Sequence, residues 1–174
     1  MNMTRKIWIR NSIYLPFSRI NIQDLIPIDY RNLVLQATRS TKEYGYLIEF
    51  KENVDLLMMN SYLNKMPLLK RCTVKQVKGD PFIQDLIFDK VSRRLFISKH
   101  YSSKQEVFKE FRPYGKLLQV KKDGDGFIVD FLKVMDAVDA RLCLDHKGDI
   151  TYQAFKYDFK GFKWVRQVTN LVDE

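Results

Sequence analysis

One short phrase occurs twice in the chain and limits the folds that it can adopt. GYLIEF at 45–50 and GFIVDF at 126–131 share a Gly, an aromatic residue, two aliphatic residues, an acid and a closing Phe. Upstream of each phrase, KIWIRN at 6–11 and RLFISK at 94–99 carry an aliphatic, an aromatic and an aliphatic residue in succession. Alternation of apolar side chains with period two predicts β-strands. Two paired phrases in the same order predict that one structural unit is duplicated.

The first copy has the pattern of four strands and two helices in the order βαββαβ. The strands are predicted at 6–12, 31–39, 44–50 and 71–77, and the helices at 19–26 and 53–66. Asn21 and Asn53 are the predicted N-caps, because a side-chain oxygen there can accept from the first free amides of a helix. Pro67 cannot continue a helix and is predicted to end the second one.

The second copy repeats this order. Its strands are predicted at 94–98, 116–122, 127–131 and 150–159, and its helices at 102–115 and 133–144. Ser103 and Glu106 have the spacing of a capping box. The helix that they begin is predicted to bury Val107, Phe108 and Phe111. Gly115 is predicted to close it in the left-handed conformation.

The βαββαβ order folds as a four-stranded antiparallel sheet with both helices on one face and the other face open. The sequence therefore predicts an α+β protein with two ferredoxin-like domains in tandem, at 1–78 and 93–160. Between them, 79–92 is rich in apolar residues and begins with Asp80 and Pro81, a favourable helix start. It is predicted to be an ordered helical linker. The segment 161–174 is predicted to be a C-terminal extension with helical spacing.

The charge and the residue composition of the chain limit the kinds of partner and ligand that it is expected to bind. Thirty Lys and Arg against 21 Asp and Glu give a formal charge of +9, which attracts polyanions such as nucleic acid. No apolar run reaches the roughly 20 residues that span a bilayer, so no membrane association is expected. Cys72 and Cys143 lie far apart in apolar stretches and are predicted to be reduced core thiols. His100 and His146 are the only histidines, and no zinc site is expected.

Sequence motifs of catalysis are missing. KKDGDGF at 121–127 is too short for a phosphate-binding loop and lacks its Lys-Ser/Thr ending. The chain has no Gly-x-Ser-x-Gly and no His-Glu-x-x-His. We therefore expect a protein that is not an enzyme and that uses no cofactor.

The duplicated phrases resemble the RNA recognition motif, over about 5–78 and 93–160. In that family the first strand carries an aliphatic, an aromatic, an aliphatic, any residue and an Asn. Residues 7–11 fit this pattern fully, and residues 95–99 fit it except at Lys99. The third-strand motif of the family closes on an aromatic residue, which Phe50 and Phe131 supply.

The third strand departs from the family at the two exposed positions that usually hold base-stacking aromatics. Gly45 and Leu47 stand there in the first copy, and Gly126 and Ile128 in the second. The resemblance therefore implies one exposed stacking ring per sheet, Trp8 in the first and Phe96 in the second. Glu49 and Asp130 are expected on the same open faces, where they would keep the sheets soluble.

The resemblance implies a monomeric, non-catalytic protein that binds short single-stranded RNA with two sheets, serving RNA processing in the nucleus. The candidate RNA-binding residues are Trp8, Arg10, Asn11, Leu47, Lys70, Arg71, Lys75, Phe96, Ser98, Lys99, Lys121, Lys122 and Ile128. A second interpretation stays open, in which the sheets are apolar docking surfaces for a protein partner. Leu47, Leu117 and Ile128 favour it.

Overall fold

The structure is a computed structural model that describes residues 3–11, 21–40, 45–66, 72–81, 91–98 and 101–153. The chain divides into two compact units, Met1–Lys78 and Gly79–Glu174. Most of the predicted helical linker, the end of the last predicted strand and the C-terminal extension lie outside the described residues.

Unit 1 contains one antiparallel sheet of four strands. Its elements are β1 (Met3–Asn11), a 3₁₀ turn (Ile22–Leu25), α1 (Ile28–Arg31), β2 (Val34–Arg39), β3 (Gly45–Asp55), α2 (Leu56–Lys65) and β4 (Cys72–Gln76). The strand order is β2-β3-β1-β4. The short helix predicted over 19–26 is the 3₁₀ turn, and Asn21 caps it as predicted.

Unit 2 repeats this architecture. Its elements are β5 (Arg94–Ile97), α3 (Lys104–Phe111), a 3₁₀ turn (Arg112–Tyr114), β6 (Leu117–Asp123), β7 (Gly126–Phe131), α4 (Val134–Leu144) and β8 (Ile150–Tyr152). The strand order β6-β7-β5-β8 is the same as in unit 1. The predicted α+β class, with two βαββαβ units, is confirmed by this topology.

Alternation along the strands decides which side chains are buried beneath the helices. In unit 1, Ile7 and Ile9 of β1 share a core with Phe50 of β3 and with Met59 and Leu63 of α2. In unit 2 the equivalent strand positions are fully buried, together with two residues of α3: Leu95, Ile97, Val129, Phe131, Val107 and Phe111. Since successive side chains of a strand point to opposite faces, the residues between these positions face away from the helices.

Two of the predicted helix ends differ from the structure. Asp55, not Asn53, caps α2, and its carboxylate accepts from the amide of Leu57 at 2.9 Å. The prediction failed because β3 stays paired with β1 as far as Asp55. Gly115 has a φ of 163° and is extended rather than left-handed, because a 3₁₀ turn separates it from α3.

The start of α3 confirms half of the capping box. The Ser103 hydroxyl accepts from the amide of Glu106 at 3.2 Å, as predicted. The Glu106 carboxylate accepts from the amide of Ser102, at 3.0 Å, instead of that of Ser103. Phe108 was predicted to face inward, but it is 46 % exposed.

The first residues of the predicted linker are bound to unit 2. The amide of Gly79 donates to Cys143 O at 2.9 Å, and that of Asp80 donates to Asp145 O at 2.7 Å. These bonds fix the chain at the end of α4 before it reaches the residues that the structure does not describe.

Both cysteines are free and buried, which confirms the prediction of reduced core thiols. Burial raises the pKa of Cys72 to about 11, so its thiol is protonated and a poor nucleophile at pH 8.

We expect neither thiol to react promptly with Ellman's reagent at pH 8, and both to react once guanidinium unfolds the chain. Rapid labelling of the folded protein would contradict this burial.

Candidate nucleic-acid interface

The open face of unit 2 carries a row of four side chains across its strands. Ile128 of β7 lies between Lys121 of β6 and Phe96 of β5, and Phe96 lies opposite Thr151 of β8. Directly opposed residues of antiparallel strands point to the same face. Lys121 and Thr151 are exposed, and Phe96 is partly exposed. Ile128 was a candidate contact residue, but only 4 % of it is exposed.

The Phe96 ring lies over Gly126, the glycine of the duplicated phrase. A Cβ built on Gly126 would stand 2.7 Å from Cζ of Phe96 and 2.5 Å from Ile97 O, distances too short for any other residue. In unit 1 the Trp8 ring lies over Gly45 in the same way, with Cη2 2.7 Å from the equivalent Cβ. Glycine at this position therefore makes room for the ring of the neighbouring strand, a role that the sequence did not indicate.

Unit 1 differs from unit 2 in the exposure of this ring. Trp8 lies between Leu47 and Lys75, in the same row position as Phe96, but it is completely buried, with 0 % exposed. The expectation of an exposed ring at Trp8 is wrong. Arg10 is also buried, and its guanidinium donates to Asn11 O at 3.3 Å. Leu47 and Lys75 are partly exposed.

A second row on the open face of unit 2 is an ion pair. Arg94 donates to both carboxylate oxygens of Asp130, at 2.7 and 2.8 Å, and Gln119 donates to Asp130 at 2.9 Å. Asp130 is 2 % exposed, so the expectation that it serves solubility is wrong. The hydrogen bond to Asp130 raises the pKa of Arg94. The acid on this face is thus balanced and does not add free negative charge.

The pKa of the neighbouring Arg93 is shifted in opposite directions by its surroundings. Burial lowers the pKa of Arg93 to about 10, while Asp130 raises it and Arg94 lowers it. Arg93 therefore keeps its charge at neutral pH.

The equivalent ion pair on the open face of unit 1 is weaker, because Lys6 Nζ and Glu49 Oε2 are 3.9 Å apart and both side chains are about one-third exposed.

Alternation places three of the residues considered above on the helix side of their sheets. Asn11 lies opposite the core residue Cys72, and Lys122 lies opposite Phe127. Leu117, which favoured an apolar docking sheet, lies opposite Phe131 and also faces the helices. Lys121 and Lys122 therefore point to opposite sides of β6.

Of the four remaining candidates, only Ser98 lies within the described residues. Ser98 follows β5 and is exposed, and its hydroxyl donates to Asp149 O at 3.1 Å. Lys70, Arg71 and Lys99 lie outside the described residues. The RNA contacts of all these residues stay predictions.

The open face of unit 2 has the chemical groups for stacking and for binding an anion. Phe96 offers a ring, Lys121 a cation, and Thr151 a hydroxyl.

Within the described ranges, no three His, Cys, Asp or Glu side chains are grouped so that they could hold a metal ion. In the same part of the chain, no helix is long and apolar enough to cross a membrane.

Comparison with known proteins finds a likeness in structure but none in sequence. No protein-family model matches the chain, and no curated protein matches it in sequence. A solved structure of a Sxl-lethal protein/RNA complex resembles it at 14 % identity, covering 85 % of this chain and 97 % of that chain, with a TM-score of 0.34. Because the TM-score is so low, the fold class rests on the strand order within each unit.

Proposed function

We propose that the protein binds single-stranded RNA without catalysing a reaction, and that the open face of unit 2 is the principal contact surface. The observation that supports this most directly is the partly exposed Phe96 ring, which lies in one row with Lys121 and Thr151. A base can stack on the ring while the ammonium group meets a phosphate. The formal charge of +9 favours the same ligand.

Unit 1 contributes differently in this proposal. Its ring position is buried, so RNA would contact partly exposed side chains of its open face, such as Lys75 and Leu47. We propose further that the protein acts as a monomer, uses no cofactor, and serves RNA processing in the nucleus. Cell fractionation and crosslinking of the bound RNA, followed by sequencing of the fragments, would test these last points.

The apolar docking-sheet interpretation has less support. Leu47, Leu117 and Ile128 favour it only if they lie on open faces, yet Ile128 is buried and Leu117 faces the helices. Only Leu47 is left as a partly exposed apolar side chain on an open face among these three.

Phe96→Ala should weaken binding of a labelled random-sequence single-stranded RNA by about 5- to 150-fold, the loss of one base–aromatic stack. Fluorescence anisotropy at low salt measures this affinity. Circular dichroism checks that unit 2 stays folded. An unchanged affinity in the folded variant would contradict the proposal for this surface.

Lys121→Gln and Lys122→Gln form a matched pair that tests which side of β6 the RNA contacts. Both lysines are exposed and adjacent, but only Lys121 shares the face of Phe96. We expect Lys121→Gln to reduce the slope of log affinity against log salt by about 0.7, the value for one phosphate contact in a single strand. Lys122→Gln should leave the slope unchanged. Equal effects would indicate unspecific attraction by the net charge.

A further inference from the structure

A second surface of unit 2 lies away from the open sheet face, between α3 and the edge strand β6. It is a groove of about 270 Å³ lined chiefly by apolar side chains, with one lysine: Phe108, Leu117, Leu118, Val120 and Lys104. Phe108 and Leu118 are each 46 % exposed. Two large apolar side chains thus meet water in one groove, which is a common property of sites that bind another molecule.

The exposure of Leu118 comes from a β-bulge. Leu117 pairs with Phe131 and Gln119 pairs with Asp130, so Leu118 has no opposing residue in β7. Its side chain lines the groove beside Phe108.

Unit 1 repeats the bulge at the same place. Val34 pairs with Phe50 and Gln36 with Glu49, which leaves Leu35 unopposed and 54 % exposed. A groove of about 170 Å³ lies between β2 and the preceding turn, lined chiefly by Ile22, Ile26, Val34 and Arg31. The same combination of edge-strand bulge, exposed leucine and nearby apolar groove therefore occurs twice.

The backbone along β6 is oriented for pairing with another strand. The two-residue turn Gly124–Asp125, with a φ of 59° at Gly124, joins β6 to β7. In such hairpins the residues that flank the turn form a hydrogen-bonded pair, and hydrogen-bonded pairs then alternate. Lys121 therefore directs its amide and carbonyl to β7, while Val120 and Lys122 direct theirs outward. Among the described strands, none pairs with this outer edge of β6.

We propose that this groove binds an extended peptide segment of a partner protein, in which apolar and acidic residues alternate. The segment adds to the sheet along β6, pairs with the outward groups of Val120 and Lys122, and places an apolar side chain between Phe108 and Leu118. The acidic character follows from charge. Lys104 lines this groove and Arg31 lines the groove of unit 1, and no acidic residue is among the described residues that line either one.

The test uses the full chain and a labelled synthetic peptide of alternating Leu and Asp residues, with binding followed by fluorescence anisotropy. Phe108→Ser and Leu118→Ser should each weaken binding by about tenfold, the equivalent of about 1.4 kcal/mol. Leu57→Ser is the matched control, because Leu57 is also a largely exposed apolar residue but belongs to α2 of unit 1. In amide NMR spectra, the peptide should shift Val120 and Lys122 more than Phe96.

Substitutions of two adjacent lysines distinguish this site from the RNA surface. Lys122→Gln should weaken binding of the peptide and leave binding of RNA unchanged. Lys121→Gln should weaken binding of RNA and leave binding of the peptide unchanged. The proposal is overturned if the peptide does not bind, if the Phe108 and Leu118 variants bind it as well as the Leu57 control does, or if a poly-Asp peptide binds equally. Concentration-dependent dimerisation lost in the Leu118 variant would also overturn it, because a second copy would then be the occupant.

Discussion

Asp130→Ala is expected to lower the free energy of unfolding of unit 2 by about 3–5 kcal/mol, the usual result of breaking a buried ion pair by removing one partner. Asp130 is 2 % exposed and accepts three hydrogen bonds, two from Arg94 and one from Gln119. Without the carboxylate, the mostly buried guanidinium of Arg94 loses the bonds that hold it. Urea unfolding followed by circular dichroism measures the loss, and amide hydrogen exchange assigns it to unit 2.

Unit 1 supplies the matched control for this substitution. Glu49 occupies the same row position as Asp130, but its pair with Lys6 is 3.9 Å long and partly exposed. Glu49→Ala should therefore cost at most about 1 kcal/mol. Replacing both members of the buried pair, as Arg94→Met with Asp130→Leu, should recover most of the lost stability, since no unpaired charge is then left. If Asp130→Ala and Glu49→Ala cost the same, the buried row is not a stabilising pair.

The faces of the sheets could be predicted because they follow from period-two alternation. Ile7 and Ile9 had to share a face with Ile48 and Phe50, and the structure places all four in one core. The same alternation assigned Trp8 and Phe96 to the opposite faces of their sheets. Local patterns of this kind depend only on the geometry of a single strand.

Burial on those opposite faces could not be predicted, because it depends on neighbours across the sheet. Asp130 is buried since Arg94 and Gln119, from two other strands, close over its carboxylate. Trp8 and Phe96 have the same strand position and the same glycine beneath the ring, yet only Trp8 is fully buried. Periodicity assigns a side chain to a face but does not say what covers that face.

The groove between α3 and β6 could not be predicted from the sequence because β6 departs from regular strand geometry at Leu118. Residues 116–122 were interpreted as a regular strand, in which Leu117 and Leu118 would point to opposite faces. The bulge at Leu118 breaks this alternation and leaves the leucine beside Phe108. Two adjacent aliphatic residues followed by Gln, as in LLQ at 117–119 and VLQ at 34–36, are the only signal that the sequence offered.

Trp8→Ala is expected to destabilise unit 1 by about 3–5 kcal/mol, because the substitution removes a fully buried aromatic side chain and leaves a cavity over Gly45. Phe96→Ala removes a partly exposed ring from the same position of unit 2 and should cost less, below about 2 kcal/mol. Trp8→Phe, which keeps a ring, should retain most of the stability. Urea unfolding and amide hydrogen exchange in each unit measure the three effects.

The same variants distinguish a structural ring from a binding ring. If Trp8 is structural, Trp8→Phe should keep full RNA affinity, and Trp8→Ala should lose affinity only under conditions in which unit 1 unfolds. Phe96→Ala should lose affinity while unit 2 stays folded, since its ring is accessible to a base. A stable Trp8→Ala protein whose RNA affinity falls as much as that of Phe96→Ala would show instead that Trp8 is uncovered in solution and stacks on a base, as the sequence resemblance implied.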